Sequence, residues 1–266
     1  MLEAGSETGK VRAQGDRRVA LVTGGARGIG LGIVRRLLAD GHQVAFVATR
    51  AEHVKRAVDI LGRPEDQLYA ERIDVTRENE VEGFVDRIRA RWGDIAIVVN
   101  NAGTSPKRVN QDAPWLSQTS LEEWARVIDV NLNGPFFLTR LLAPAMIANR
   151  YGRIINVGSL AGRAIPIIAG PHYAASKAGL VGLTRAAARD LAPYGITVNC
   201  VAPGRILSDL TGPPEASVNR SALSRIPVGR FGTAEEVAHV VAFLASPMAG
   251  FITGATVDVT GGEFAA

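Results

Sequence analysis

At 266 residues and 28.1 kDa, with 47% hydrophobic residues, the chain is long enough to bury one sizeable core and lies in the range of a single α/β domain. Its net charge of +4 and pI near 9.6 come from Lys and Arg that are scattered rather than clustered, which argues against nucleic acid as a partner. Cys200 is the single cysteine, so no internal disulfide can form, and no apolar run approaches the roughly 18–20 residues a membrane span needs.

Residues 1–18 are polar and rich in Gly and Glu, without the apolar stretch of a signal peptide. They read as a flexible N-terminal tail, and with the lone thiol they fit a soluble protein of a reducing cytoplasm. The apolar run Val19-Ala20-Leu21-Val22-Thr23 then enters Gly24-Gly25-Ala26-Arg27-Gly28-Ile29-Gly30, after which Ile33, Val34, Leu37 and Leu38 recur at helical spacing. That order predicts strand, tight turn and helix. Glycines at such a turn let backbone approach a pyrophosphate, and the helix N-terminus offers it unpaired N–H groups and a positive dipole end.

The glycines at 24, 28 and 30 follow Thr23 as T-G-x-x-x-G-x-G, a spacing unlike the usual three-glycine dinucleotide fingerprint. Here the chain resembles the short-chain dehydrogenase/reductase family. Residues 43–48 read as a second strand, whose end in a dinucleotide-binding fold reads the adenosine ribose; an acidic residue there would repel a 2′-phosphate. This chain has Thr49-Arg50 instead, with Arg27 in the glycine turn, and two guanidiniums suit a phosphate dianion. NADP(H) is therefore favoured over NAD(H). A third strand over 68–73 ends at Asp74-Val75, which in the resembled family lies against the adenine, although Asp74 also reads as an N-cap for a helix starting near Arg77.

The uninterrupted apolar run at 95–99 reads as a strand buried on both faces. It leads into Asn100-Asn101-Ala102-Gly103, a second signature of the family, in which small residues leave room beside the cofactor while asparagines tie the strand end to its neighbours. The polar loop 104–119, with Lys107, Arg108 and Trp115, is placed to border the ligand crevice, Trp115 packing it down. From Leu121 to Met146 a helical pattern runs, interrupted by Pro135 and Pro144 and containing Asn131. The resemblance implies that Asn131 marks a local irregularity whose backbone holds a water linking Lys177 to solvent.

A fifth strand at 153–157 precedes Ser159, whose hydroxyl can donate to a substrate carbonyl and stabilise charge on its oxygen. In the next segment, Pro171-His172-Tyr173-Ala174-Ala175-Ser176-Lys177, a helix would set Tyr173 and Lys177 one turn apart on one face. A free tyrosine titrates near pH 10, and a neighbouring positive charge favours the phenolate, so Lys177 together with a bound cationic cofactor is expected to lower the phenol pKa toward neutrality. His172 should point about 100° away around the helix and reads as structural; it and the other histidines, His42, His53 and His239, are too dispersed to form a site, and no metal-ligand spacing occurs. A sixth strand at 196–201 ends at Pro203-Gly204, which in relatives passes beside the nicotinamide. Residues 205–232 form a long connection of the kind that closes as a lid, Thr233 caps a helix, and a last strand at 256–259 precedes Gly261-Gly262.

The resemblance extends over residues 19–263, with 19–266 forming one dinucleotide-binding domain. It implies a doubly wound α/β Rossmann-type fold, a mostly parallel sheet of about seven strands with helices on both faces. It also implies a homotetramer and a catalytic set of Asn131, Ser159, Tyr173 and Lys177, interconverting a ketone and a secondary alcohol. The pattern is most like the 3-oxoacyl-acyl-carrier-protein reductase group, so the substrate is a small carbonyl or alcohol compound or an acyl thioester. Phe137 and Tyr194, however, stand where such reductases place arginines to dock an acidic carrier, and the longer 104–119 loop likewise favours a free ketone, sugar or polyol as the alternative. A catalytically silent nucleotide-binding scaffold is the remote alternative, since the whole catalytic set is present.

Overall fold

The apolar run Val19–Thr23 forms strand β1, buried along its whole length and flanked by a strand on each side. β2 (Gln43–Ala48) and β3 (Leu68–Arg72) extend the sheet one way, while β4 (Ile95–Asn100), β5 (Gly152–Val157), β6 (Ile196–Pro203) and β7 (Thr256–Val259) extend it the other, in the order β3-β2-β1-β4-β5-β6-β7. Every pairing is parallel, so the sheet is wholly rather than mostly parallel. Its strand order reverses between β1 and β4, and in such sheets the ligand crevice opens outside the carboxyl ends at that switch. The computed structural model describes residues 17–106, 115–166, 168–207 and 217–265; most of the expected tail, the loop cations Lys107 and Arg108, and 208–216 of the expected lid lie outside these residues.

Alternate residues of each buried strand serve opposite faces of the sheet. On one face, α1 (Gly28–Ala39) and α8 (Ala234–Ala245) pack Ile33, Leu37, Val237 and Val241 against Ala20, Val22 and Phe46. On the other, α3 (Glu78–Trp92), α5 (Gly134–Ala148) and α6 (Pro171–Leu191) pack Phe84, Leu142, Met146 and Leu191 against Leu21, Val98 and Ile154. Each fully buried Leu, Ile or Phe contributes roughly 1.5–3 kcal/mol, and two such layers hold the strand ends in register. α1 and α8 approach closely because Gly32 faces Ala234, where an added Cβ would lie 3.2 Å from the alanine side chain. Thr233 caps α8 as expected, accepting from the Glu236 N–H at 3.2 Å while the Glu236 carboxylate accepts from the Thr233 N–H at 2.9 Å.

The remaining helices are α2 (Ala51–Leu61), α4 (Leu121–Ile128) and α7 (Ser217–Leu223). The helical pattern after Leu121 is not one helix. α4 ends at Ile128, a five-residue π turn covers Asp129–Asn133 with Asn131 fully buried in it, and α5 follows. Such π turns are uncommon and recur at functional sites. Pro135 falls in the first turn of α5, where no N–H is needed, whereas Pro144 sits inside α5 without ending it. The apolar anchors Leu142 and Met146, both buried, hold the helix on the sheet across that proline. Asp74 does not cap α3, which begins after Arg77. Its Oδ1 instead accepts from the Thr76 N–H and hydroxyl at 3.1 and 2.8 Å, closing the preceding turn. Among the described residues, no helix is long and apolar enough to cross a membrane, and no cluster of His, Cys, Asp and Glu could hold a metal ion.

Candidate active site

The carboxyl ends of the strands around the switch point open into a cleft of about 630 Å³. Its floor is the turn after β1, where Gly24 and Gly28 have φ of +67° and +52°, a left-handed backbone that favours glycine. A Cβ on Gly30 would lie 2.1 Å from the Gly24 carbonyl oxygen and 2.5 Å from the Asn101 amide, so only hydrogen fits. Asn101 fastens this turn to β4, donating to the Thr23 and Gly24 carbonyls at 3.0 Å each, while the Thr23 hydroxyl accepts from the Asn101 and Ala102 N–H groups at 3.0 Å. Next to it, Asn100 donates to Asn156 on β5 at 2.8 Å. α1 starts with no side-chain cap and no acid in its first turn, so its unpaired N–H groups and positive end are available to an anion. The cradle fits the pyrophosphate of a dinucleotide.

The cleft wall contains every residue the sequence singled out for the cofactor. Ile29 lies on the floor with the glycines. Arg27 and Arg50, both exposed, occupy the N-cap positions of α1 and α2 without using their side chains as caps, and line one end with Thr49 and His53. Asp74 and Val75 border the cleft beyond β3. Ala102, Gly103, Pro203 and Gly204 line it near Tyr173 and Lys177.

In that last region α6 sets Tyr173 and Lys177 one turn apart, with the ammonium 5.7 Å from the centre of the phenol ring. Lys177 is 3% exposed and its Nζ donates to the Val157 carbonyl at the end of β5, 2.7 Å away. Ser159 caps the short 3-10 turn Leu160–Gly162, accepting from the Ala161 N–H at 3.2 Å, and lines the cleft with Tyr173, whose phenolate its hydroxyl favours. That turn can lie flush on α6 because Gly162 has no side chain; a Cβ there would be 2.5 Å from the Lys177 backbone carbon. Asn131 reaches in from the π turn, donating to the Thr104 carbonyl and the Ser176 hydroxyl at 3.0 Å each and accepting from the Thr104 N–H at 2.8 Å. A Cβ on Gly103 would lie 3.5 Å from both Asn131 Oδ1 and Lys177 Nζ, so these groups share one spot.

Comparison with known proteins agrees with this geometry. A family model described as Enoyl-(Acyl carrier protein) reductase matches residues 24–263. The chain belongs to the short-chain dehydrogenase/reductase family. It is 39% identical over 247 residues to the 3-oxoacyl-[acyl-carrier-protein] reductase FabG of Escherichia coli (strain K12), covering 93% of this chain and 97% of that one. A solved 3-oxoacyl-[acyl-carrier protein] reductase from Brucella melitensis ATCC 23457 is similar with a TM-score of 0.89 and 34% identity, over 100% of this chain and 98% of that chain. A further reductase of that name from Brucella melitensis, solved with bound NAD, gives 0.87 and 35% over the same shares. As a member of the short-chain dehydrogenase/reductase family the protein is an oxidoreductase acting on CH–OH groups with a nicotinamide cofactor.

Lys177 by itself does not lower the phenol. Burial pushes the Tyr173 phenol above its ordinary value, and the group that opposes this is the Ser159 hydroxyl rather than Lys177. The lysine is itself pushed down to about 8 by burial. The phenol is therefore a protonated acid at neutral pH. A second correction concerns Phe137, which is 7% exposed in the core between α5 and the sheet and cannot border an entrance. Tyr194 is exposed, and the arginine beside it is Arg150, whose guanidinium donates to the Pro193 carbonyl at 3.2 Å. Trp115 is 77% exposed and does not pack its loop down.

Several groups were not visible in the sequence. Ser176 and Thr104 share Asn131, Arg126 of α4 lines the cleft, and the Val157 carbonyl holds Lys177. Only Ser176 carried a signal, since it lies one helical turn from Tyr173 and its hydroxyl donates to the Tyr173 carbonyl at 2.8 Å.

Proposed function

We propose that this protein is an NADP(H)-dependent reductase of 3-oxoacyl thioesters, working as a homotetramer in the cytoplasm, with Asn131, Ser159, Tyr173 and Lys177 as its catalytic set. The observation that carries the reading is the half-buried Tyr173 set beside Ser159 on the cleft wall, where the phenol keeps its proton at neutral pH and so can give it away. When bound, the nicotinamide supplies the hydride. Ser159 orients the substrate oxygen and steadies the charge that grows on it, and Tyr173 places a proton on that oxygen. Lys177, protonated at neutral pH with a pKa of about 8, stabilises the phenolate left behind and holds the nicotinamide ribose. Asn131 keeps Thr104 and Ser176 in place around this corner, and the π turn that carries it is the irregularity at which a water would link Lys177 to solvent.

NADP(H) rather than NAD(H) is supported by the exposed Arg27 and Arg50 at the cleft end where an acid would otherwise follow β2. The acyl-thioester substrate is supported by the 39% identity to a named 3-oxoacyl-acyl-carrier-protein reductase across nearly the whole chain. The test is a substrate panel with purified protein. NADPH and NADH are each assayed with an acetoacetyl thioester, simple ketones, diketones and keto-sugars. Turnover of the thioester with NADPH is expected to exceed the others; activity on ketones or keto-sugars with none on the thioester would replace this reading with the small-ketone or sugar alternative.

A further inference from the structure

His172 precedes Tyr173 and is fully buried, yet no step above uses it. It sits at the second position of α6, where helix N–H groups have no partner within the helix. The N-cap, Gly170, has no side chain to help. His172 fills that role by an uncommon route, as its Nδ1 accepts from the Tyr173 N–H at 2.7 Å. Because Nδ1 must keep its lone pair for that bond, the ring hydrogen is on Nε2, which donates to Glu123 Oε1 at 2.9 Å. Glu123 lies in the first turn of α4, its own N–H held by Ser120 at 3.1 Å, and a carboxylate is favoured at that helix end.

The other backbone polar group of Tyr173 is held the same way. Its carbonyl accepts from the Ser176 hydroxyl at 2.8 Å, and Ser176 accepts from Asn131 at 3.0 Å. Both sides of the Tyr173 peptide thus run through a side chain of α6 to the α4 and π-turn segment: N–H to His172 to Glu123, and C=O to Ser176 to Asn131. We propose that His172 and Glu123 are positioning residues that fix the height and angle of the Tyr173 phenol against Ser159. Neither residue of the pair lines the cleft. The pair acts through the backbone of the proton donor, so it governs turnover and not cofactor binding. This inference rests on the reading of Tyr173 as the proton donor.

The test uses His172→Gln, which keeps a donor toward Glu123 but loses the acceptor for the Tyr173 N–H, Glu123→Ala, which removes the acceptor for Nε2–H, and Glu123→Gln, which keeps an oxygen there. For each, kcat and KM are measured with NADPH and acetoacetyl thioester, and NADPH affinity by fluorescence. A displacement of the phenol by about an ångström is expected to lower kcat about 10- to 100-fold in His172→Gln and Glu123→Ala, with NADPH affinity changed by less than about 2-fold. Glu123→Gln should lose less than Glu123→Ala. A normal kcat in both of the first two variants, or a kcat loss matched by loss of NADPH binding, overturns the proposal. Where His172→Gln fails to fold, the two half-buried Glu123 variants decide it alone. Tyr173→Phe is run alongside: if it keeps turnover, the proton-donor reading itself falls, whereas a dead Tyr173→Phe beside unaffected His172 and Glu123 variants removes only the positioning pair.

Discussion

The two ends of the cleft are built by different means. The floor under β1 is backbone and hydrogen: Gly24, Gly28 and Gly30 make room, α1 contributes unpaired N–H groups, and the charged groups there, Arg27 and Arg50, are exposed. The corner around Tyr173 is side chain and burial, with Lys177 at 3% exposure and Asn131, His172 and Ser176 at zero, each of these four hydrogen-bonded to a named partner. Binding a phosphate needs a shape that stays open to solvent, whereas moving a proton needs groups whose affinities have been shifted by removing water. The floor is thus set by local chain geometry, and the corner by packing between distant segments.

Replacing Tyr173 with Phe should separate the two ends most sharply, lowering kcat about 10²- to 10⁴-fold while NADPH still binds as tightly by fluorescence titration. Equal losses of both would show that the ends are not independent.

The next effect is in stability. Lys177 titrates at about 8 in the folded protein against an ordinary value of 10.5, so between those pH values the unfolded chain binds more protons and stability rises with pH. The rise attributable to this group amounts to about 3 kcal/mol across the window. Cys200, pushed up to about 11 by burial, works the other way above its ordinary value of 9.0. Denaturant melts of wild type and Lys177→Met at pH 8 and pH 10 should therefore diverge, the variant lacking the lysine-driven gain; parallel curves would mean that the corner is wetter than the structure has it.

The smallest expected change lies at the other end. Arg50→Ala should raise the KM for NADPH by about 10-fold, the loss of one charge-assisted phosphate contact, and leave the KM for NADH nearly unchanged. Equal effects on both cofactors would retract the preference for the phosphorylated form.

The same contrast explains what could be read in advance. The strand, glycine turn and helix at 19–39, the Asn-Asn-Ala-Gly strand end and the Thr233 capping box depend on neighbours within a few residues, and each is found where its spacing put it. The Tyr173 and Lys177 pairing was equally legible, being a property of one helix. The direction of the phenol shift was not, because it depends on burial and on Ser159 rather than on helical spacing. His172 points away from Tyr173, as its helical position required, but what it points at is Glu123, far back in the chain. Phe137 was misplaced and Pro144 misread as a break for a shared reason: both are decided by which face of α5 lies on the sheet.

The close approach of Gly32 to Ala234 brings α8, near the end of the chain, against the helix that carries the phosphate cradle. A growing polypeptide emerging from its ribosome therefore has the fingerprint loop long before it has the buttress behind that loop. The support behind the cradle is thus the last part to be made, and a chain cut short by a few dozen residues carries the motif without the helix that backs it.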